Sequence, residues 1–175
     1  GEETSLTTAD AAEAAHTVTV SQLLAEYVDK ATGLEDWQLG LGHAFEIAPE
    51  LPESFRLELA HALLARTLFP KAPLKWMPPT RHMTGDVFRG YLLDGFFNLA
   101  GAMTDQDILL VGMMTEAVVT PWLSDRDLAL QNVRYVVNAA GRLAEDFHPS
   151  PDGFIARRAS QVLAERRAVL LLCSD

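Results

Sequence analysis

Nine of the twelve residues from Ile108 to Val119 are apolar, and no other stretch limits so tightly what this chain can fold into. Read as a helix, the segment is apolar on nearly every side, and such a helix has to be buried. It is shorter than the ~20 residues that cross a bilayer. Polar residues flank it at both ends, so a protein interior suits it better than a membrane. A central core helix is therefore expected over Ile108 to Val119, with the rest of the chain wrapped around it.

The flanking sequence supplies candidates for that wrapping. Residues 1–7 are small, acidic and Thr-rich, which predicts a frayed tail, and residues 8–175 are expected to form one domain. Thr7 or Thr8 would cap a short helix through Ala15. Thr19 and Gln22 have the spacing of a capping box for a second helix, with Leu23, Leu24, Tyr27, Val28 and Ala31 on its buried face and Gly33 at its end. A weaker helix is expected over Asp36 to Ile47, loosened by Gly40 and Gly42. Pro52 opens another, striped by Phe55, Leu59, Ala62 and Leu63.

Residues 69–83 break the helical pattern. Pro70, Pro73, Pro78 and Pro79 exclude a helix and favour extended backbone. The resulting Pro-rich loop gathers Lys71, Lys75, Arg81 and His82 around Trp76, which makes it a candidate partner-binding segment. A strap whose Trp76 plugs the core is the alternative.

Beyond the loop, Thr84, Thr104 and Ser124 recur every twenty residues, each after an apolar residue and before acids. Hydroxyls cap helices and acids favour the first turn, so three helices of similar length are predicted, with a trace of helical-repeat logic. Phe88, Leu92, Phe96 and Leu99 stripe the first. Val133, Val136, Val137, Ala140, Leu143, Ala144 and Phe147 stripe the third. Ser150, Pro151 and Asp152 open the last helix, with Phe154, Ile155, Ala159, Val162 and Leu163 inward and Arg157, Arg158, Arg166 and Arg167 outward. The expected fold is all-α, a single-domain bundle of seven or eight helices.

The net charge of -10 belongs wholly to residues 1–60, which hold 12 acidic and 2 basic side chains, while residues 61–175 hold 12 of each. Such a surface repels phosphate backbones, which disfavours nucleic acid, and it suits a basic partner. A homo-oligomer is compatible with it. Neither a secretory signal nor a membrane span is evident, and a single cysteine, Cys173, excludes an internal disulfide. A cytoplasmic setting is expected on those grounds.

Phosphate-binding glycine loops and nucleophile elbows are missing, so the leading expectation is a non-enzymatic helical protein-interaction module, an adaptor, immunity or regulatory subunit without a cofactor. An enzymatic reading stands beside it. Three of the five histidines follow a glutamate by three residues: Glu13 and His16, Glu58 and His61, Glu145 and His148. Di-metal carboxylate bundles use two such pairs plus two lone glutamates. Glu26, Glu58, His61, Glu116, Glu145 and His148 supply that set, with iron or manganese as the metal and oxidase or oxygenase chemistry. Glu116 stands out, because a carboxylate in an otherwise apolar segment needs a partner or a route to water. A third reading places a small apolar ligand among Phe88, Tyr91, Phe96, Met113 and Met114.

Overall fold

A computed structural model of the protein describes residues 15–43, 47–78 and 80–172, with the backbone alone at His43 and over 166–172. In chain order the elements are α1 (Ala15–Ala31), β1 (Leu41–His43), α2 (Ser54–Leu68), β2 (Leu74–Trp76), α3 (Val87–Met103), β3 (Ile108–Leu109), α4 (Leu123–Ala140), α5 (Leu143–Asp146) and α6 (Phe154–Leu172). Short 3-10 turns sit at Asp36–Gln38 and Thr80–His82. The tail and short helix expected over residues 1–14, together with Glu13 and Cys173, lie outside the described residues.

The all-α expectation fails at three strands. They form one parallel sheet in the order β1-β2-β3, with Leu41, Gly42 and His43 opposite Leu74, Lys75 and Trp76, and with Lys75 and Trp76 opposite Ile108 and Leu109. Parallel neighbours need a crossover of a dozen or more residues, and α2 and α3 are those crossovers. Strand starts at Leu41, Leu74 and Ile108 lie 33 and 34 residues apart, so the true repeat is a strand followed by a helix. Gly42 permits the first pairing. Its φ is +138°, and a Cβ there would lie 2.0 Å from the Lys75 carbonyl oxygen.

No helix runs through Ile108 to Val119. Two residues join the sheet and the rest form a loop with a turn, in which Met114 is buried while Leu110, Val118 and Val119 are exposed. In place of the helix expected over Asp36 to Ile47, residues 36–43 form a 3-10 turn followed by β1. Nor is 69–83 structureless, since β2 lies inside it. The capping periodicity dissolves as well. Asp86, not Thr84, caps α3, accepting hydrogen bonds from the Phe88 and Arg89 amides. Thr104 closes the C-terminus of that helix, and its hydroxyl donates to the Ala100 carbonyl. Ser124 is the second residue of α4. Thr19 lies within α1 and its hydroxyl bonds the Ala15 carbonyl.

The core is the layer where α1, α2, α3 and α6 meet the sheet. Ala15, Val18, Ala62, Leu64, Trp76, Leu93, Phe97 and Val162 share one cluster, and Leu39, Leu41, Ala65, Phe69, Ala72 and Leu74 a second. His16 Nδ1 meets Glu165 at 3.3 Å, tying α1 to α6. Arg158 is buried rather than outward.

Two helices are turned differently from their apolar stripes. On α1, Leu24, Tyr27 and Val28 face solvent. On α3, Phe88 is 90% exposed and Leu92 and Phe96 are exposed too, while Gly90, Leu93, Asp94, Phe97, Asn98 and Gly101 face inward.

At the amino end of the sheet, the Asp107 carboxylate accepts from the Leu74 amide at 2.8 Å and from Arg66, whose guanidinium also reaches the Ala72 and Asp105 carbonyls. Burial pushes the Asp107 carboxyl up, yet the Leu74 amide and the Arg66 charge hold it below its ordinary value. Charge-assisted hydrogen bonds of this kind are worth ~1.5–3 kcal/mol when shielded, and less at this half-exposed carboxylate.

Denaturant unfolding of the protein should separate the two faces of α3. Phe97→Ala should cost about 3–5 kcal/mol and Phe88→Ala less than about 0.5. Similar losses at both positions would mean that Phe88 is packed.

Candidate functional site

In open α/β sheets ligands are bound outside the carboxyl ends of the strands. For this sheet that end is built by Met77 and Pro78 after β2, by the 3-10 turn to His82, and by the β3–α4 loop, residues 110–122. The two segments are stitched together, because the Gly85 amide donates to the Met114 carbonyl at 3.1 Å.

Beneath them runs a row of buried polar groups. Asn98 donates to Asn132 at 3.0 Å, and Asn132 donates onward to the Tyr91 carbonyl at 2.6 Å, joining α3 to α4. Thr115 donates its hydroxyl to the buried Asp125 carboxylate in the first turn of α4. Asp94, on the inner face of α3, is 1% exposed and neither of its carboxyl oxygens has a hydrogen-bond partner among the described residues. The loop reaches Asp94 through Gly112, where a Cβ would stand 2.5 Å from Asp94 Oδ1 and 2.6 Å from Pro78 Cγ. Burial, then the charge of Glu116, pushes Asp94 up to about 8. Burial likewise raises Glu116, against a hydrogen bond from the Met113 backbone. The pair can hold a proton near neutral pH, which is the kind of perturbation that clusters at functional sites.

The structure separates the residues singled out by sequence. Lys71 precedes β2 and is exposed, whereas Arg81 and His82 follow it, so the strand divides the basic cluster between its two ends. Lys75 lies mid-strand, and Trp76 is 2% exposed within the core, where it fills the plug role rather than a partner-binding one.

The six proposed metal ligands scatter likewise. Glu26 pairs with Lys30 at 2.7 Å on α1. Glu58 and His61 are buried side by side on α2, with Glu58 accepting from the Ile47 amide at 3.4 Å. Glu145 pairs with Arg142, and His148 is exposed. Glu116 alone reaches the carboxyl-end site. No group of three or more His, Cys, Asp or Glu among the described residues could hold a metal. His61 is instead a neutral core imidazole, pushed down to about 3 by burial and by the nearby Arg158 charge. The apolar residues proposed for a ligand divide between solvent, in the case of Phe88, and the core, in the case of Met114. Asp94, the most perturbed acid, carried one sequence signal, its interruption of an apolar helix. No helix among the described residues is long and apolar enough to cross a membrane.

Comparison with known proteins accounts for the strand–helix repeat. Residues 1–174 match the family model of the D-lysine 5,6-aminomutase TIM-barrel domain of the alpha subunit. The chain is 48% identical over 170 residues to the lysine 5,6-aminomutase alpha subunit of Acetoanaerobium sticklandii, and 46% identical over 170 residues to that of Fusobacterium nucleatum. Each alignment covers 97% of this chain and 33% of the relative, so the chain spans about a third of the length of these curated relatives. The three strands with their crossover helices are thus consecutive units of a β/α barrel, not a bundle of helices. The same matches overturn the expected non-enzymatic adaptor and the ferritin-like oxidase alternative, because the relatives are aminomutases. The expectation of no cofactor belonged to the first of those readings and that of iron or manganese to the second, and both fall with them.

Two measurements follow. Gly112→Ala should destabilise the protein by about 1–3 kcal/mol, because Pro78 and Asp94 must both give way, and thermal unfolding reads it. For His61, the folded imidazole titrates near 3 against an ordinary 6.5. Its contribution is therefore full above pH 6.5 and is lost as pH falls toward 3. His61→Gln should flatten that limb of the stability–pH curve, and an unchanged limb would count against the buried neutral form.

Proposed function

Since this chain belongs to the family of the TIM-barrel domain of the lysine 5,6-aminomutase alpha subunit, we propose that it forms part of the barrel of such a subunit and takes part in moving an amino group between carbons 6 and 5 of lysine. The observation that carries the reading is the run of three sequential parallel β/α units in a chain 46–48% identical to the curated subunits over 97% of its length. In β/α barrels the loops at the carboxyl ends of the strands build the site. The β2–α3 and β3–α4 segments, with Asp94 and Glu116 beneath them, are this chain's contribution to that end.

The relatives are named as alpha subunits, which supports a second polypeptide as partner and a cytoplasmic metabolic setting. Cobalamin and pyridoxal phosphate would supply the radical and carbonyl chemistry of the shift. The described residues at this end do not fit the phosphate of the latter. Asp94 is buried there and Glu116 partly so, two carboxyls that are not phosphate ligands, and Lys75 lies back within β2. The groups that hold the cofactors are assigned here to the rest of the subunit and to its partner.

The test is to co-express the full-length subunit with its partner, supply both cofactors, and follow lysine by chromatography and NMR. Conversion to 2,5-diaminohexanoate is expected. Unchanged lysine, from an assembly shown to carry both cofactors, would overturn the assignment.

A further inference from the structure

Asp94 combines three features that a purely structural acid avoids. It is fully buried, both of its oxygens lack hydrogen-bond partners among the described residues, and a second carboxyl with a buried, unbonded oxygen, Glu116, comes from the loop packed over it. An ionised carboxylate so placed is costly, whereas a protonated one is not charged at all. The loop can lie this close only because position 112 is glycine.

Other charges around the pair are engaged elsewhere. Asp125, from α4, takes the Thr115 hydroxyl. Arg89, one turn earlier on α3, is paired with Glu50, and His82, from the turn after β2, acts on that same Glu50. Asn98 and Asn132 are neutral. Glu116 is the one charged group among the described residues that acts on Asp94.

We propose that Asp94 is a positioning residue whose neutral acid form, buried beside Glu116, lets the β3–α4 loop seat on α3 at the carboxyl end of the barrel, and that the loop opens when this proton passes to water. The upward push of Asp94 to about 8 agrees with that geometry. In the open state water solvates the carboxyl, which returns to its ordinary value of 3.8. The closed form binds the proton more tightly, so closure is fully favoured below pH 3.8 and weakens as pH rises toward 8. Between those limits the open fraction grows about tenfold per pH unit, and above about 8 it levels off. The inference rests on the family reading only for what the loop faces; the proton-dependent closure itself is measured without turnover, so either can fail alone.

Hydrogen exchange on the full-length subunit with its partner tests it, as protection factors corrected for the intrinsic pH dependence of exchange. Amides of residues 112–119 should lose protection about tenfold per unit from pH 6 to 8 and then level off, while amides within α2 stay flat. Asp94→Asn, which carries no proton to lose, should remove the slope. Glu116→Gln should move the levelling point to lower pH. The proposal is overturned by a flat profile in the unmodified loop, by a slope shared equally with α2, or by an unchanged slope in Asp94→Asn. If that variant does not fold, the unmodified profile and the Glu116→Gln displacement decide.

Discussion

Everything in this fold hangs on the backbone pairing of β2 along both of its edges. A strand of three residues contributes few hydrogen bonds, so it needs support from outside the ladder. Asp107 supplies it by capturing the Leu74 amide while its own amide donates to the Leu74 carbonyl at 3.0 Å, and Arg66 at the end of α2 holds that carboxylate from the other side. One acid thereby sets the register of β3 on β2 and ties the crossover helix to both. In β/α barrels the amino ends of the strands serve stability and the carboxyl ends serve chemistry. This clamp and the Asp94 row fall on opposite sides of that division.

The helices were legible where a proline or hydroxyl marked a start, α2 after Pro52, α4 at Ser124 and α6 after Pro151, whereas the stripe read through to Phe147 breaks at Gly141 into α4 and α5. The strands were not. Leu41-Gly42-His43 and Leu74-Lys75-Trp76 are too short for alternation to register, and both sit among glycines or prolines that read as loop. Ile108 and Leu109 begin a longer apolar run. A short apolar run fits a buried strand or a buried helix equally well, and tertiary context decided for the strand. The family was hidden for a related reason: barrel chemistry is distributed over the ends of many strands, and three of them show no motif. Glu116 drew notice as a carboxylate in an apolar segment, and the structure gives it a neighbour of the same sign.

The apolar stripe on α3 misled most. Phe88, Leu92, Phe96 and Leu99 fall at helical spacing, and amphipathic reasoning turns them inward, yet the first three face out. The inner face carries Leu93 and Phe97 beside two glycines, an aspartate and an asparagine. Close backbone approach explains the choice. A Cβ at position 90 would meet Met114 at 2.8 Å, so the glycine face is the only one the β3–α4 loop can lie against.

A rod with grease on two sides has two nearly degenerate rolls about its own axis, and burial area alone does not choose between them. The choice falls to directional groups: the Asn98 amide seated on Asn132, and Asn132 in turn on the Tyr91 carbonyl. Replacing both asparagines with leucine would add hydrophobic driving force while erasing the instruction that sets the roll, trading a single packed state for a mixture of orientations. Polarity in this core acts less as glue than as an orientation key.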